Sequence, residues 1–289
     1  MANPVNAEQF FDFEDVDRRI SDLDTPVPLI DFDIMLRNLT RWQDHCDLLG
    51  IANRPHIKTH KLVAIAKLQL ALGAKGISVQ KLGEAEVMAD GGIADMLLTY
   101  NVIGKAKLER LSNLMKRTDI AVVADNEEML EGLSHAAQRA GRTLEVLVEC
   151  DTGMERNGVQ SVSDAITLAQ RIDQTHSLTF GGLMTYPPAF KRQDIAAFIA
   201  ETKHGLIKMG LPCARVSSGG SKDLWDKTGL DDVTEYRVGT YIYNDRSLVA
   251  AGACRFEDCA ETVLVTVVST PTPNRAIIDA GSKALTSDC

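Results

Sequence analysis

Short apolar runs of four to eight residues alternate along the chain with longer amphipathic segments. Met35, Leu39, Trp42, Cys46 and Leu49 recur at spacings of four, three, four and three, which is one face of a helix. Residues 126–140 carry a similar stripe through Met129, Leu130, Leu133, Ala136 and Ala137. Between such segments the pattern predicts strands near 51–57, 76–79, 95–99, 120–124, 144–149, 178–185, 214–218 and 235–243. Strands alternating with helices imply a parallel sheet, and eight such units imply a (β/α)8 TIM barrel. A doubly wound open sheet is the competing reading. It would place a phosphate loop after the first strand, and the sequence holds neither GxGxxG nor GxxxxGK[ST]. After residue 250 the pattern changes to two predicted strands, 261–268 and 275–279, joined by a short Thr/Pro-rich turn. The expected organisation is an N-terminal segment over 1–30, a barrel over 31–250 and the start of a β-domain over 251–289.

Composition narrows the partners. Lys plus Arg is 31 and Asp plus Glu is 40, a net charge of −9, the wrong sign for a general nucleic-acid or anionic-membrane binder. No apolar run approaches the length of a membrane span. The first nineteen residues are acidic and lack an apolar stretch, so no signal peptide is expected. Six scattered cysteines without a CxxC pair read as reduced thiols, and the expected location is cytoplasmic.

In a barrel of this kind, function sits just past the C-terminal ends of the strands. There the sequence places Arg54-Pro55-His56-Ile57-Lys58-Thr59-His60, Gln80, Asn101, Asp125, the stretch from Glu149 through Asp151, Gly153 and Arg156 to Gly158, Thr185-Tyr186, Ser217 to Ser221, and Arg237 with Gly239, Thr240 and Tyr241. The glycines after strands seven and eight fit either an anion cradle, with Ser218, Ser221 and Thr240 as donors, or two plain turns. Lys58, ending an apolar strand, is either a solvated surface lysine or a desolvated amine able to form a Schiff base. His56 and His60 stand four apart, a metal-binding spacing only on a helix, whereas this segment reads as a strand end.

RPHIKTHK, followed by QKLGEAEVMADGGIADMLL, resembles the D-threonine aldolase and D-serine dehydratase family, pyridoxal-phosphate enzymes with the alanine racemase fold. DTGMERNGV, YRVGTYIYNDR and RAIIDAGSKALTSD extend the likeness over nearly the whole chain. The resemblance implies Lys58 as the lysine that carries the cofactor. It implies Arg156 beside the cofactor's phenolic oxygen and Arg237 beside its pyridine nitrogen. Ser218, Gly219, Gly220, Gly239, Thr240 and Tyr241 would hold the phosphate, and Gln80 and Tyr186 would line the cofactor. The family also uses a divalent metal, manganese or zinc, held near the C-terminus of its members. The expectation here is that the metal ligands and most of the β-domain are missing, with Cys289 a chance terminal residue.

The implied activity is retro-aldol cleavage of a D-β-hydroxy amino acid to glycine and an aldehyde, with His60 as stand-in base. Elimination from D-serine is the alternative lyase reaction. A pyridoxal-phosphate-binding protein without turnover is the reading from a different class. The resemblance also allows a homodimer.

Overall fold

A computed structural model describes residues 5–11 and 18–285 of the chain. β1 (Val27–Ile30) leads into α1 (Phe32–Leu49). Eight parallel strands follow: β2 (Ala52–Asn53), β3 (Ile77–Val79), β4 (Asp95–Leu98), β5 (Asp119–Ala124), β6 (Leu144–Cys150), β7 (Leu178–Thr185), β8 (Val216–Gly219) and β9 (Glu235–Arg237). Between them lie α2 (Val63–Leu72), α3 (Leu82–Asp90), α4 (Lys105–Met115), α5 (Glu128–Ala140), α6 (Val162–Gln174) and α7 (Arg192–Lys208). The sheet runs β2-β9-β8-β7-β6-β5-β4-β3. Its two ends meet: His56 bridges Ser78 in parallel, the Ser78 N–H donates to the Pro55 carbonyl (2.8 Å), and the Lys75 N–H donates to that of Asn53 (2.9 Å). The result is the (β/α)8 TIM barrel that the alternation of strands and helices predicts.

Two strands are shorter than their apolar runs. The first is regular only over Ala52–Asn53, Pro55 supplies no N–H, and the chain enters a helical turn at Ile57–Thr59. The last stops at Arg237, and Thr240–Ile242 form a second such turn. Both turns lie at the C-terminal mouth, so each shortening frees backbone and side chains for the site.

Alternation along the strands sorts two environments. Leu97, Ala121, Val123, Leu147 and Met184 form their own buried cluster inside the barrel. Their neighbours Met96, Leu98, Ile120, Val122, Val146 and Val148 face outward into the helical layer. On the β2, β8 and β9 side the interior is ionic. Arg54 donates from Nε to Glu235 (2.5 Å) and from Nη1 to Asp95 (2.5 Å), and Glu235 also accepts from Ser217 (2.6 Å) and Arg215 (3.2 Å). Tyr236, between the inward Glu235 and Arg237, points outward against Trp42 at 5.4 Å between ring centroids. α1 buries Met35, Leu39, Trp42 and Cys46 on the predicted stripe, and Asp31 caps it by accepting from the Ile34 N–H (2.9 Å).

After α8 (Arg246–Ala250) come β10 (Glu261–Leu264), β11 (Val267–Thr272) and β12 (Arg275–Ile278). The run expected as one strand over 261–268 is two strands with different partners. β10 pairs antiparallel with β1, Val27 opposite Leu264, while β11 and β12 form a hairpin. The segment before residue 31 and the segment after 250 therefore share a sheet. No helix among the described residues is long and apolar enough to cross a membrane. Cys46, Cys150, Cys213, Cys254 and Cys259 are free thiols, and Cys289 lies outside the described residues.

Candidate active site

The strand ends converge on one cavity at the C-terminal mouth, of about 80 Å3. Its lining includes Lys58, Gln80, Arg156, Tyr186, Gly220, Arg237, Gly239 and Thr240. His56, Thr99, Glu149, Met184 and Ser221 complete it.

Lys58 sits in the turn after β2 and its residue surface is exposed at the mouth. Even so, burial of its charge lowers its pKa from the ordinary value, and Arg156 and Arg237 push it further in the same direction. A larger share of neutral amine is the result. His56, buried beneath, is neutral, its pKa well below the usual range because of desolvation, with Lys58 and Arg237 adding to the effect. Its Nδ1 accepts the Lys58 N–H (3.3 Å), which assigns the ring proton to Nε2, 3.1 Å from the Thr99 hydroxyl.

Arg237 is buried and fixed by two bonds, Nε to the Ser217 hydroxyl (2.8 Å) and Nη2 to the Thr185 carbonyl (2.7 Å). Arg156 comes from the loop after β6. That loop is shaped by carboxylates. Asp151 accepts the N–H groups of Gly153 (3.0 Å), Met154 (3.0 Å) and Glu155 (3.2 Å). Asp125 accepts the Gly158 N–H (3.1 Å), and Glu149 accepts from Asn157 (2.7 Å). Gly158 has φ +126°, and a Cβ there would collide with the backbone of Asp151, so glycine is required. The loop holds the Arg156 guanidinium 5.5 Å from the Tyr186 ring centroid. At Gly239 a Cβ would lie 2.7 Å from the His56 carbonyl and 2.8 Å from the Thr59 hydroxyl, so the Lys58 turn and the β9 loop touch only because this residue lacks one.

Four expected residues are not among the cavity lining. Ser218 and Gly219 are buried in β8. The Tyr241 hydroxyl accepts from Gln69 (3.0 Å), and its ring stands 5.9 Å from Trp42, in the layer between barrel and helices. Its backbone, not its phenol, is what it can offer an anion. His60 accepts the Leu62 N–H at Nδ1 (3.1 Å), and burial holds its pKa down at about 4.

Glu149 carries a signal that the motif reading passed over. In β6 it shares the inward face with Glu145 and Leu147 by simple alternation. Among the described residues it is the sole carboxyl group lining the cavity. Burial pushes its pKa up to about 8, Arg237 opposes that, and Asp125 adds to it. Burial thus favours its neutral form in a cavity also lined by two arginines and a lysine.

A larger cavity, about 700 Å3, lies at the opposite end of the barrel around Arg54, Asp119, Arg142, Glu145, Arg215 and Glu235. Its acids are paired with its bases: Asp119 with Arg142, Glu145 with Arg215, and Glu235 with Arg54. It forms an ionic floor, whereas the smaller cavity carries excess cationic charge and a nucleophile. Among the described residues no group of three or more His, Cys, Asp or Glu is placed to hold a metal ion.

An amine with a weakened hold on its proton, two arginines and a glycine-bearing rim at a barrel mouth are groups that can receive a carbonyl-bearing anion. The model of the alanine racemase N-terminal domain family matches residues 30–247, and that of a serine dehydratase domain matches 260–289. The chain is 35% identical to a D-threonine aldolase of Arthrobacter sp, a match covering 92% of this chain and 74% of that protein. It is 32% identical to a D-threo-3-hydroxyaspartate dehydratase of Delftia sp. strain HT23, covering 92% of this chain and 73% of the relative. The crystal structure of D-threonine aldolase from Filomicrobium marinum superposes with a TM-score of 0.85 at 35% identity, covering 92% and 75% of the two chains. The chain belongs to the alanine racemase N-terminal domain family, among its pyridoxal-phosphate-dependent lyases.

Proposed function

We propose that this chain binds pyridoxal 5′-phosphate through Lys58 and cleaves a small D-configured β-hydroxy amino acid to glycine and an aldehyde. The carrying observation is the convergence of Lys58, Arg156 and Arg237 with Gly220, Ser221, Gly239 and Thr240 on one cavity. The donor set fits the cofactor: an amine for its aldehyde, guanidinium groups for its anionic oxygen and ring nitrogen, and small residues with hydroxyls for its phosphate. When bound, the cofactor supplies an electron-withdrawing ring that accepts the electron pair released at the substrate Cα.

The chain's own residues do the rest. Lys58, its pKa lowered by burial and by Arg156 and Arg237, is the nucleophile toward the aldehyde and can take and return a proton at the mouth. Arg237 is preorganised by Ser217 and Thr185, so its orientation costs little when a ligand arrives. Arg237 would hold the cofactor's ring nitrogen, and a guanidinium there would leave that nitrogen unprotonated and moderate the electron demand of the ring. Arg156, on the loop after β6, would hold the cofactor's anionic oxygen. Gln80, its N–H held by Glu84 (2.7 Å), and Tyr186 line the sides, with Met184 below.

Dehydration is the second reading, supported by the 32% identical dehydratase. The full chain, supplied with cofactor and manganese, is expected to release acetaldehyde and glycine from D-threonine. Pyruvate from D-serine without aldehyde from D-threonine would select dehydration. Borohydride reduction followed by peptide mapping is expected to fix the cofactor on Lys58. A label elsewhere, or none, would refute both readings.

A further inference from the structure

Glu149 has no assigned part in the reading above, yet it occupies the wall of the same cavity and is only 7% exposed. One oxygen, Oε2, accepts from Asn157 (2.7 Å), next to Arg156 in the chain. The groups that face it come from several elements: Arg237 from β9, Asp125 from the end of β5, and Arg156 and Asp151 from the loop after its own strand. Lys58 and His56 line the same cavity. The acid is thus the one lining group able to subtract from a cationic site.

We propose that Glu149 is a proton-operated charge filter on this cavity, admitting the anionic cofactor when protonated and repelling it when ionised. The inference rests on the cofactor site proposed above and adds a control on its affinity. With Glu149 neutral, Arg156 and Arg237 act on the ligand undiminished. With Glu149 ionised, its charge competes for the same guanidinium groups at low dielectric, where like charges repel strongly. Ligand binding and proton retention are therefore linked, and each favours the other. The bond to Asn157 ties the same acid to the loop that presents Arg156, so ionisation is felt at both arginines.

The test uses the full chain with Lys58→Ala, which removes the titrating amine that lines the same cavity. The probe is pyridoxine 5′-phosphate, which has no aldehyde and cannot join a lysine. Its dissociation constant is measured from pH 6.5 to 9.5 in this protein and in the same protein with Glu149→Gln added. The titration of the probe itself is common to both and cancels in the ratio. The ratio of the two constants, acid over amide, is expected to rise about tenfold per pH unit above pH 8, as one-proton linkage requires. A constant ratio overturns the filter while leaving the site standing. A second measurement needs no change at Glu149: infrared difference spectra at pH 8.5 should gain a protonated-carboxyl band when the probe binds, and its absence also overturns the proposal. If neither protein binds the probe at any pH, the cofactor-site reading falls first.

Discussion

Replacing Glu235 by glutamine tests how the barrel is locked beneath the site. Glu235 is 2% exposed and accepts from Arg54 Nε (2.5 Å), Ser217 Oγ (2.6 Å) and Arg215 Nη2 (3.2 Å). Arg54 belongs to the segment after β2 and Glu235 to β9, so their bond crosses a seam of the ring, and Arg54 also reaches Asp95 on β4. The amide keeps the shape but removes the charge, leaving the Arg54 guanidinium buried with only the half-exposed Asp95 as counterion. Breaking one side of a buried pair costs about 3–5 kcal/mol. In a chain of this size that lowers Tm by on the order of 10 °C. The measurement is a paired set of thermal and urea melts on the wild type, Glu235→Gln, and Arg54→Leu with Glu235→Leu. The double variant removes both charges and is expected to recover most of the loss. A pH series adds a third readout. Arg54, Arg215 and Ser217 outweigh burial and hold the Glu235 carboxyl below the ordinary carboxylate range. A depressed acid contributes stability that is present above the unfolded pKa and lost as pH falls through the folded one. The gap between wild type and Glu235→Gln should accordingly close on acidification. A single variant within 1 kcal/mol of wild type at pH 7, or a double variant no better than the single one, would refute this account.

Two further outcomes follow from the upper cavity. Glu149 has a raised pKa, about 8 against 4.5, so its protonated form is favoured by folding. Its contribution is present below 4.5 and lost as pH rises through about 8, a change on the order of 5 kcal/mol. In ligand-free melts Glu149→Gln should match the wild type at low pH and exceed it at pH 9, and parallel pH profiles would contradict the assignment. Gly239→Ala places a methyl 2.7 Å from the His56 carbonyl and should lower affinity for pyridoxal phosphate at least about tenfold through displacement of the Lys58 turn. Unchanged affinity by absorbance titration would show that the two loops are not in fixed contact.

The order and kind of the barrel elements were legible in the chain because each is specified by its own periodicity. The α1 stripe of Met35, Leu39, Trp42 and Cys46, and the inward face of β6, are local facts of spacing. Lys58, Arg156 and Arg237 were legible because short motifs place them at strand ends, where a barrel puts its chemistry. Several things depended on partners far away in sequence. The pairing of β1 with β10 joins Val27 to Leu264, and no pattern within either strand names the other. The tertiary fold turned the Tyr241 phenol toward Gln69, while His56 came to lie behind Lys58. The charge state of Glu149 is the clearest case. Alternation puts it on the inner face, but only the burial produced by closing the ring, with Arg237 and Asp125 brought beside it, decides whether that carboxyl keeps its proton.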